Sequence, residues 1–296
     1  MPTLILADLH ANRAALSAIL LTPEARDCGS VVSLGDQFNY GPCPAECLAM
    51  LRDFCEEGGR SLTMLQGNHE ERLPHLGEPA LRGVNWALLR WSAEQIGDGL
   101  LGLPKDVRLM DGRVWCTHGT PGDPDHLVDE EGVRAVLDTL PDNCRLLLSG
   151  HNHIRWRVRH AGREAVNPGS AGMWEDSPGC TAPFGILQNR DDGSPSVSLY
   201  TVPYREEDLL CDYLQSGCFH TDPVIPRIAL TVMRTGSRHT MLHYIRHAHR
   251  VAERMGGDMG EPAVWQAADA SWPWADGLCS EAFWARLESE HRQLCE

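Results

Sequence analysis

Five short groups of residues in this 296-residue chain hold side chains whose chemistry depends on their acting together. They are Asp8-Leu9-His10 with Asn12, Gly35-Asp36, Gly67-Asn68-His69-Glu70, His118-Gly119 and Gly150-His151-Asn152-His153. Carboxylate and amide oxygens combined with imidazole nitrogens suit divalent Mn, Fe, Zn, Ni or Co and require no thiolate. One carboxylate can bridge two such cations. Residues spaced two apart, as Asp8/His10 and His151/His153 are, let one short extended turn send two ligands into a single site. The glycines at 35, 67 and 150 let the backbone turn sharply beside the ions.

The elements that must position these residues follow from hydrophobic periodicity. Apolar runs at 4–7, 30–34, 62–66, 113–117 and 145–149 read as strands. Helical spacing covers 12–21, with Asn12 as N-cap, and 45–55 and 81–95. This alternation predicts an α/β sheet with helices packed on it. Each chemical group lies just beyond the C-terminal end of a predicted strand, where open α/β sheets place ligands. Five strand ends offering metal-type ligands therefore predict one shared site. After Gly150, short runs at 154–160, 164–166, 184–188 and 196–202 alternate with turns such as Asn167-Pro168-Gly169 and Asp191-Asp192-Gly193. They predict a meander that completes a second sheet.

Beyond residue 205 the texture is helical, with candidates at 206–215 and 240–255. The expected division is a catalytic domain over 1–205 and a helical C-terminal extension over 206–296, packed on the core. The extension carries Trp265, Trp272, Trp274 and Trp284, expected to be packing anchors rather than a base-stacking platform. His239, His243 and His247 would share one helix face, but no acidic residue within that helix completes a metal set.

Composition excludes other classes. The 11 cysteines include no CxxC pair and read as reduced thiols, not as a disulfide framework or a zinc-thiolate site. A net charge of −15 with no basic run argues against a nucleic-acid polymer as partner. A small anionic substrate remains open, because bound cations supply local positive charge. No targeting leader and no membrane-length apolar run stand out, so a cytoplasmic protein without membrane attachment is expected, with a homo-oligomer left open.

The ordered set of motifs resembles the calcineurin-like metallophosphoesterase superfamily over roughly residues 3–203, whose pattern is D-x-H, G-D, G-N-H-[DE], a later H and G-H-x-H. The runs 8–12, 35–42 and 167–170 look most like its small bacterial and archaeal phosphodiesterase branch. The resemblance implies a two-sheet β-sandwich flanked by helices. It implies two divalent metal ions, Mn²⁺ foremost, with Asp8, His10, Asp36 and His153 on one and Asp36, Asn68, His118 and His151 on the other. A metal-bridging hydroxide would be the nucleophile, and His69 would protonate the leaving oxygen. Glu70 would orient His69, while Asn12, Asn39 and Tyr40 are candidates for contact with substrate. The family's protein phosphatases carry arginine where Tyr40 stands. This favours a phosphodiesterase or nucleotide-cleaving enzyme over a phosphoprotein or small-molecule monoester phosphatase. A non-catalytic binding scaffold is the reading from another class, but it predicts missing ligands, and none is missing.

Overall fold

The computed structural model of the chain describes residues 1–222 and 224–274. Among these residues there are ten strands: β1 (Thr3–Leu6), β2 (Ser30–Ser33), β3 (Ser61–Met64), β4 (Asp106–Leu109), β5 (Val114–Thr117), β6 (Leu146–Leu148), β7 (Trp156–His160), β8 (Arg163–Asn167), β9 (Thr181–Asn189) and β10 (Pro195–Pro203). They form two five-stranded sheets, in the orders β10-β9-β1-β2-β3 and β4-β5-β6-β8-β7. In the first sheet β1, β2 and β3 run parallel, and in the second so do β5, β6 and β8. The sheets pack face to face with helices outside, giving the two-sheet sandwich that the motifs imply.

Strand alternation explains why the central strands read as unbroken apolar runs. Leu4 and Leu6 of β1 face the helices Arg13–Leu20 and Pro44–Glu57, together with Leu16, Ile19 and Leu51. Ile5 and Ala7 point the other way, between the sheets, and join Val32, Leu146, Leu148 and Leu187. Leu147, between Leu146 and Leu148, reaches the outer layer under the helix Val133–Thr139. Parallel strands covered on both faces are apolar on both faces.

The expected meander is corrected in one respect. β7 and β8 do complete the second sheet, but β9 and β10 return to the first, with β9 antiparallel to β1 from Thr3↔Leu187 to Ile5↔Gly185. Alternation identifies a strand but carries no information about its partner. The helix expected over 81–95 starts later, at Ala87, after two short 3₁₀ turns that contain Pro79 and follow Gly83.

The C-terminal helices Glu206–Ser216, Ile225–Thr235, Thr240–Met255 and Pro262–Ser271 share a core that also takes in Ala14, Leu88 and Met173. The ring of Tyr244 meets Trp265 and Trp272 edge-on, at 5.4 and 5.3 Å, and lies near-parallel to Trp274 at 6.4 Å. Trp284 lies outside the described residues. Arg13 of the first helix pairs with the buried Asp212 of the helix Glu206–Ser216. Among the described residues no helix is long and apolar enough to cross a membrane.

Candidate metal centre

All five chemical groups meet at one end of the sandwich, each at the C-terminal end of a parallel strand. Asp8 and His10 follow β1, Asp36 follows β2, Asn68 follows β3, His118 follows β5, and His151 and His153 follow β6. The turns that deliver them are conformationally costly. Asp8, His10, Asp36, Asn39, Tyr40, His151 and His153 all have positive φ, from 44° at His10 to 71° at His151. Strained backbone of this kind persists where the surroundings over-determine it, and it gathers at functional sites.

Two sets of ligand atoms converge. One comprises Asp8, His10, Asp36 and His153, the other Asp36, His118 and His151, and within each set the atoms lie within 4.8 Å of one another. Asp36 belongs to both. His10 Nε2 and His153 Nε2 face each other at 2.8 Å. The side-chain oxygen of Asn68 faces His118 Nε2 at 3.1 Å, and His151 Nδ1 and Asp36 Oδ2 lie 3.2 and 2.9 Å from it. Carboxylate and amide oxygens and imidazole nitrogens thus crowd one buried space, and that donor set fits a divalent cation.

The far side of each ring fits the same role. His10 Nδ1 lies 3.4 Å from the Phe38 carbonyl, His118 Nδ1 2.9 Å from that of Leu34, and His151 Nε2 3.3 Å from that of Asp125. A carbonyl there accepts the ring proton and leaves the other nitrogen's lone pair facing the cluster, which is how outer partners prepare imidazole for metal. His153 Nδ1 stands 3.9 Å from Glu175 Oε1.

The electrostatics of the metal-free chain point the same way. Burial pushes His10 down to about 4 and also lowers His151 and His153, so these rings are neutral and free to ligate. Burial alone would lower His118 too, but the Asp36 and Asp8 carboxylates draw it up to about 9. Burial pushes Asp8 up to about 7. It opposes ionisation of Asp36 as well, but the His118 and His69 rings outweigh it and hold that carboxyl well below the usual range. A protonated His118 is thus the counter-charge to the aspartates when no cation is present.

The remaining candidates divide. His69 is 5% exposed, and its Nε2 is 3.6 Å from Asp36 Oδ2. Tyr40 lines the same space, its ring 4.8 Å from that of His10 and 4.9 Å from that of His69. Asn39 reaches His69 itself, with Nδ2 3.1 Å from Nδ1. Asn12 is fully buried and has no group left for a substrate. Its oxygen caps the first helix at Ala15 N, and its nitrogen donates to the Gly172 carbonyl at 2.7 Å. Glu70 does not orient His69. Its carboxylate accepts the amides of Asp36, Gln37 and Gly67 at 2.9, 2.9 and 2.8 Å, and so ties together the turns that bear Asp36 and Asn68. Burial and then the Asp36 charge push Glu70 up to about 8.

Two supports escaped assignment from sequence. Ser170 donates to the Asp8 carbonyl at 2.8 Å, and Asn167 donates to that of Gly150 at 2.7 Å, so the turn after β8 fastens two ligand loops. The Asn167-Pro168-Gly169-Ser170 run was visible as a motif, but its partners were not. Arg72 bonds the Asn68 carbonyl and reaches Asp125 at 3.2 Å, joining the two loops that flank His151. His239, His243 and His247 belong to no such set among the described residues, and His247 Nε2 instead meets the Ala268 carbonyl at 3.1 Å.

Comparison with known proteins agrees with this geometry. An uncharacterised protein of Methanocaldococcus jannaschii, MJ0912, is 25% identical over 196 residues, which covers 63% of this chain and 76% of that protein. A crystal structure of a metallophosphoesterase from Sphaerobacter thermophilus has the same fold, with a TM-score of 0.60 and 24% identity over 78% of this chain and 99% of that one. So does the hypothetical protein PH1004 of Pyrococcus horikoshii, with a TM-score of 0.63 and 17% identity over 80% of this chain and 99% of its own. The calcineurin-like phosphoesterase superfamily domain matches residues 1–189, and the chain belongs to that superfamily.

Proposed function

We propose that this chain is a phosphodiesterase or nucleotide-cleaving phosphoesterase that works with two divalent cations, Mn²⁺ foremost, on a small phosphorylated substrate. The observation that carries the proposal is the convergence of the two ligand sets on a shared Asp36, with ring nitrogens already turned inward. Asp8, His10, Asp36 and His153 would hold one cation, and Asp36, Asn68, His118 and His151 the other. When bound, such a pair supplies Lewis acidity and an acidified water for hydrolysis.

His69 would act on the leaving group. Burial pushes its pKa down to about 3 in the substrate-free chain, so the ring is neutral. The Asn39 amide donates to Nδ1, which places the ring proton on Nε2, the nitrogen on the Asp36 side. An entering anionic substrate raises the ring's proton affinity, so that a second proton is gained at Nδ1 and the Nε2 proton, on the Asp36 side, is the one passed to the departing oxygen. Asn39 can serve both states: its buried Oδ1 has no partner, and a half-turn of the amide would present it to a protonated Nδ1. The Tyr40 ring would form the wall beside the scissile phosphate.

A substrate panel with added Mn²⁺ tests the reading. It should include a chromogenic diester, a chromogenic monoester, cyclic nucleotides, dinucleoside polyphosphates and a phosphopeptide. Turnover of diesters or nucleotides ahead of the phosphopeptide is expected. A phosphopeptide turned over fastest would reject the substrate assignment, and no turnover of any member would reject catalysis.

A further inference from the structure

The family match ends at residue 189, yet a later segment comes within one side chain of the metal centre. Glu175 is 7% exposed, and its two oxygens face different ways. Oε1 lies 3.9 Å from Nδ1 of His153, whereas Oε2 accepts the backbone amide of His239 and stands 3.6 Å from its Nδ1. His239 begins the helix Thr240–Met255, and its ring lies 6.1 Å from that of His243 on the next turn.

The charge pattern of this segment departs from the rest of the chain. The whole sequence holds 41 acidic residues against 26 basic ones, yet residues 223–252 contain five arginines, four histidines and no acidic residue. Two of the arginines turn inward, Arg227 to Asp269 and Arg234 to Glu206. Arg238, Arg246 and Arg250 stay exposed, as does His243, with His239 partly so. Among the described residues the acidic groups that meet Arg238 and His239 are Glu175, which is buried, and Asp176, whose carboxylate is 3.5 Å from Arg238 with both side chains more than half exposed. A pair so exposed is weak and yields easily to a better anion. An anionic protein that keeps a cationic stretch beside its metal centre attracts substrate charge there.

We propose that Arg238 and Arg246, with His239 and His243 beside them as hydrogen-bonding side chains, form a basic rim that receives a second phosphate group of the substrate, so that the chain favours phosphoesters carrying a phosphate beyond the scissile one. This rests on the phosphoesterase reading above and adds the substrate class. Exposed guanidinium groups bind phosphate through charge-assisted hydrogen bonds, so the preference weakens as salt rises.

The test compares thymidine 5′-(4-nitrophenyl phosphate) with its 3′-phosphorylated form, which keeps the same leaving group and adds one phosphate. The Mn²⁺-loaded wild type should favour the 3′-phosphorylated form by about tenfold in kcat/KM, chiefly through KM. In Arg238→Ala/Arg246→Ala the preference should vanish, and in Arg246→Glu it should reverse. Calorimetric binding of thymidine 3′,5′-bisphosphate against thymidine 5′-phosphate should show the same order without turnover. Equal wild-type affinities for the two nucleotides, or a preference that survives in both variants, would overturn the rim. Failure to hydrolyse either chromogenic substrate would reject the phosphoesterase reading, and the binding comparison would then decide the rim alone.

Discussion

A single methyl group at Gly67 should disable the metal centre. A Cβ built there would lie 2.1 Å from Asp36 Oδ1 and 2.5 Å from the Asp36 amide nitrogen. Ordinary contact needs about 3.5 Å, so Asp36 must retreat by more than about 1 Å or the turn must open. Metal sites tolerate ligand displacements of only about 0.2 Å. The neighbour is a short, fully buried carboxylate held by backbone, not the free end of a long side chain. Gly67→Ala should therefore cost about 1–3 kcal/mol of stability, as overpacking does, and should drop bound metal well below two per chain. Gly77→Ala is the matched control, because a Cβ there meets nothing within 4 Å. Elemental analysis after Mn²⁺ loading, paired with thermal unfolding, reads both quantities. A Gly67→Ala protein that folds and holds two Mn²⁺ with wild-type affinity would refute the placement of Asp36 between the ions.

Other expectations follow from the same geometry. Asp36→Asn should weaken both metal positions and Asp8→Asn chiefly one, which stepwise Mn²⁺ titration by calorimetry distinguishes. His118 is drawn up to about 9 in the metal-free chain, so at pH 7 an incoming cation must displace its proton. Affinity at the position that holds His118 should rise from pH 7 to 9 and level off above, and calorimetry in buffers of different ionisation enthalpy should show about one proton released as that position fills at pH 7. His69→Ala should slow diesters with poor leaving groups by about 10²–10⁴ but a nitrophenyl ester less, with metal content unchanged. An equal loss across leaving groups would make His69 a binding residue only.

Much of the site was legible because its parts are local. Asp8, His10, Asp36, Asn68, His118, His151 and His153 each stand at the end of a short apolar run, and the ends of parallel strands gather by topology. Supports that depend on distant partners were not legible. Glu70 was assigned to its neighbour His69 but accepts amides from residues 33 and 34 positions away. Asn12 offered a polar end that the Gly172 carbonyl consumes. In the fold, β4 was missed because Asp106-Val107-Arg108-Leu109 is a half-exposed edge strand of four residues with two charges. The helix Ile225–Thr235 was missed because proline and β-branched residues crowd it. Its apolar face with Ile228, Val232 and Met233 buried stabilises it through tertiary packing rather than propensity.

Stoichiometric metal loading with simultaneous activity is the most direct test of the central claim. Chelator-treated protein should have no turnover of a chromogenic phosphodiester. Titration with Mn²⁺ should restore it along a curve that saturates at about two ions per chain, with Asp36→Asn failing to recover at any stoichiometry. Saturation at a single ion, or full diester turnover by metal-free Asp36→Asn protein, would contradict the account.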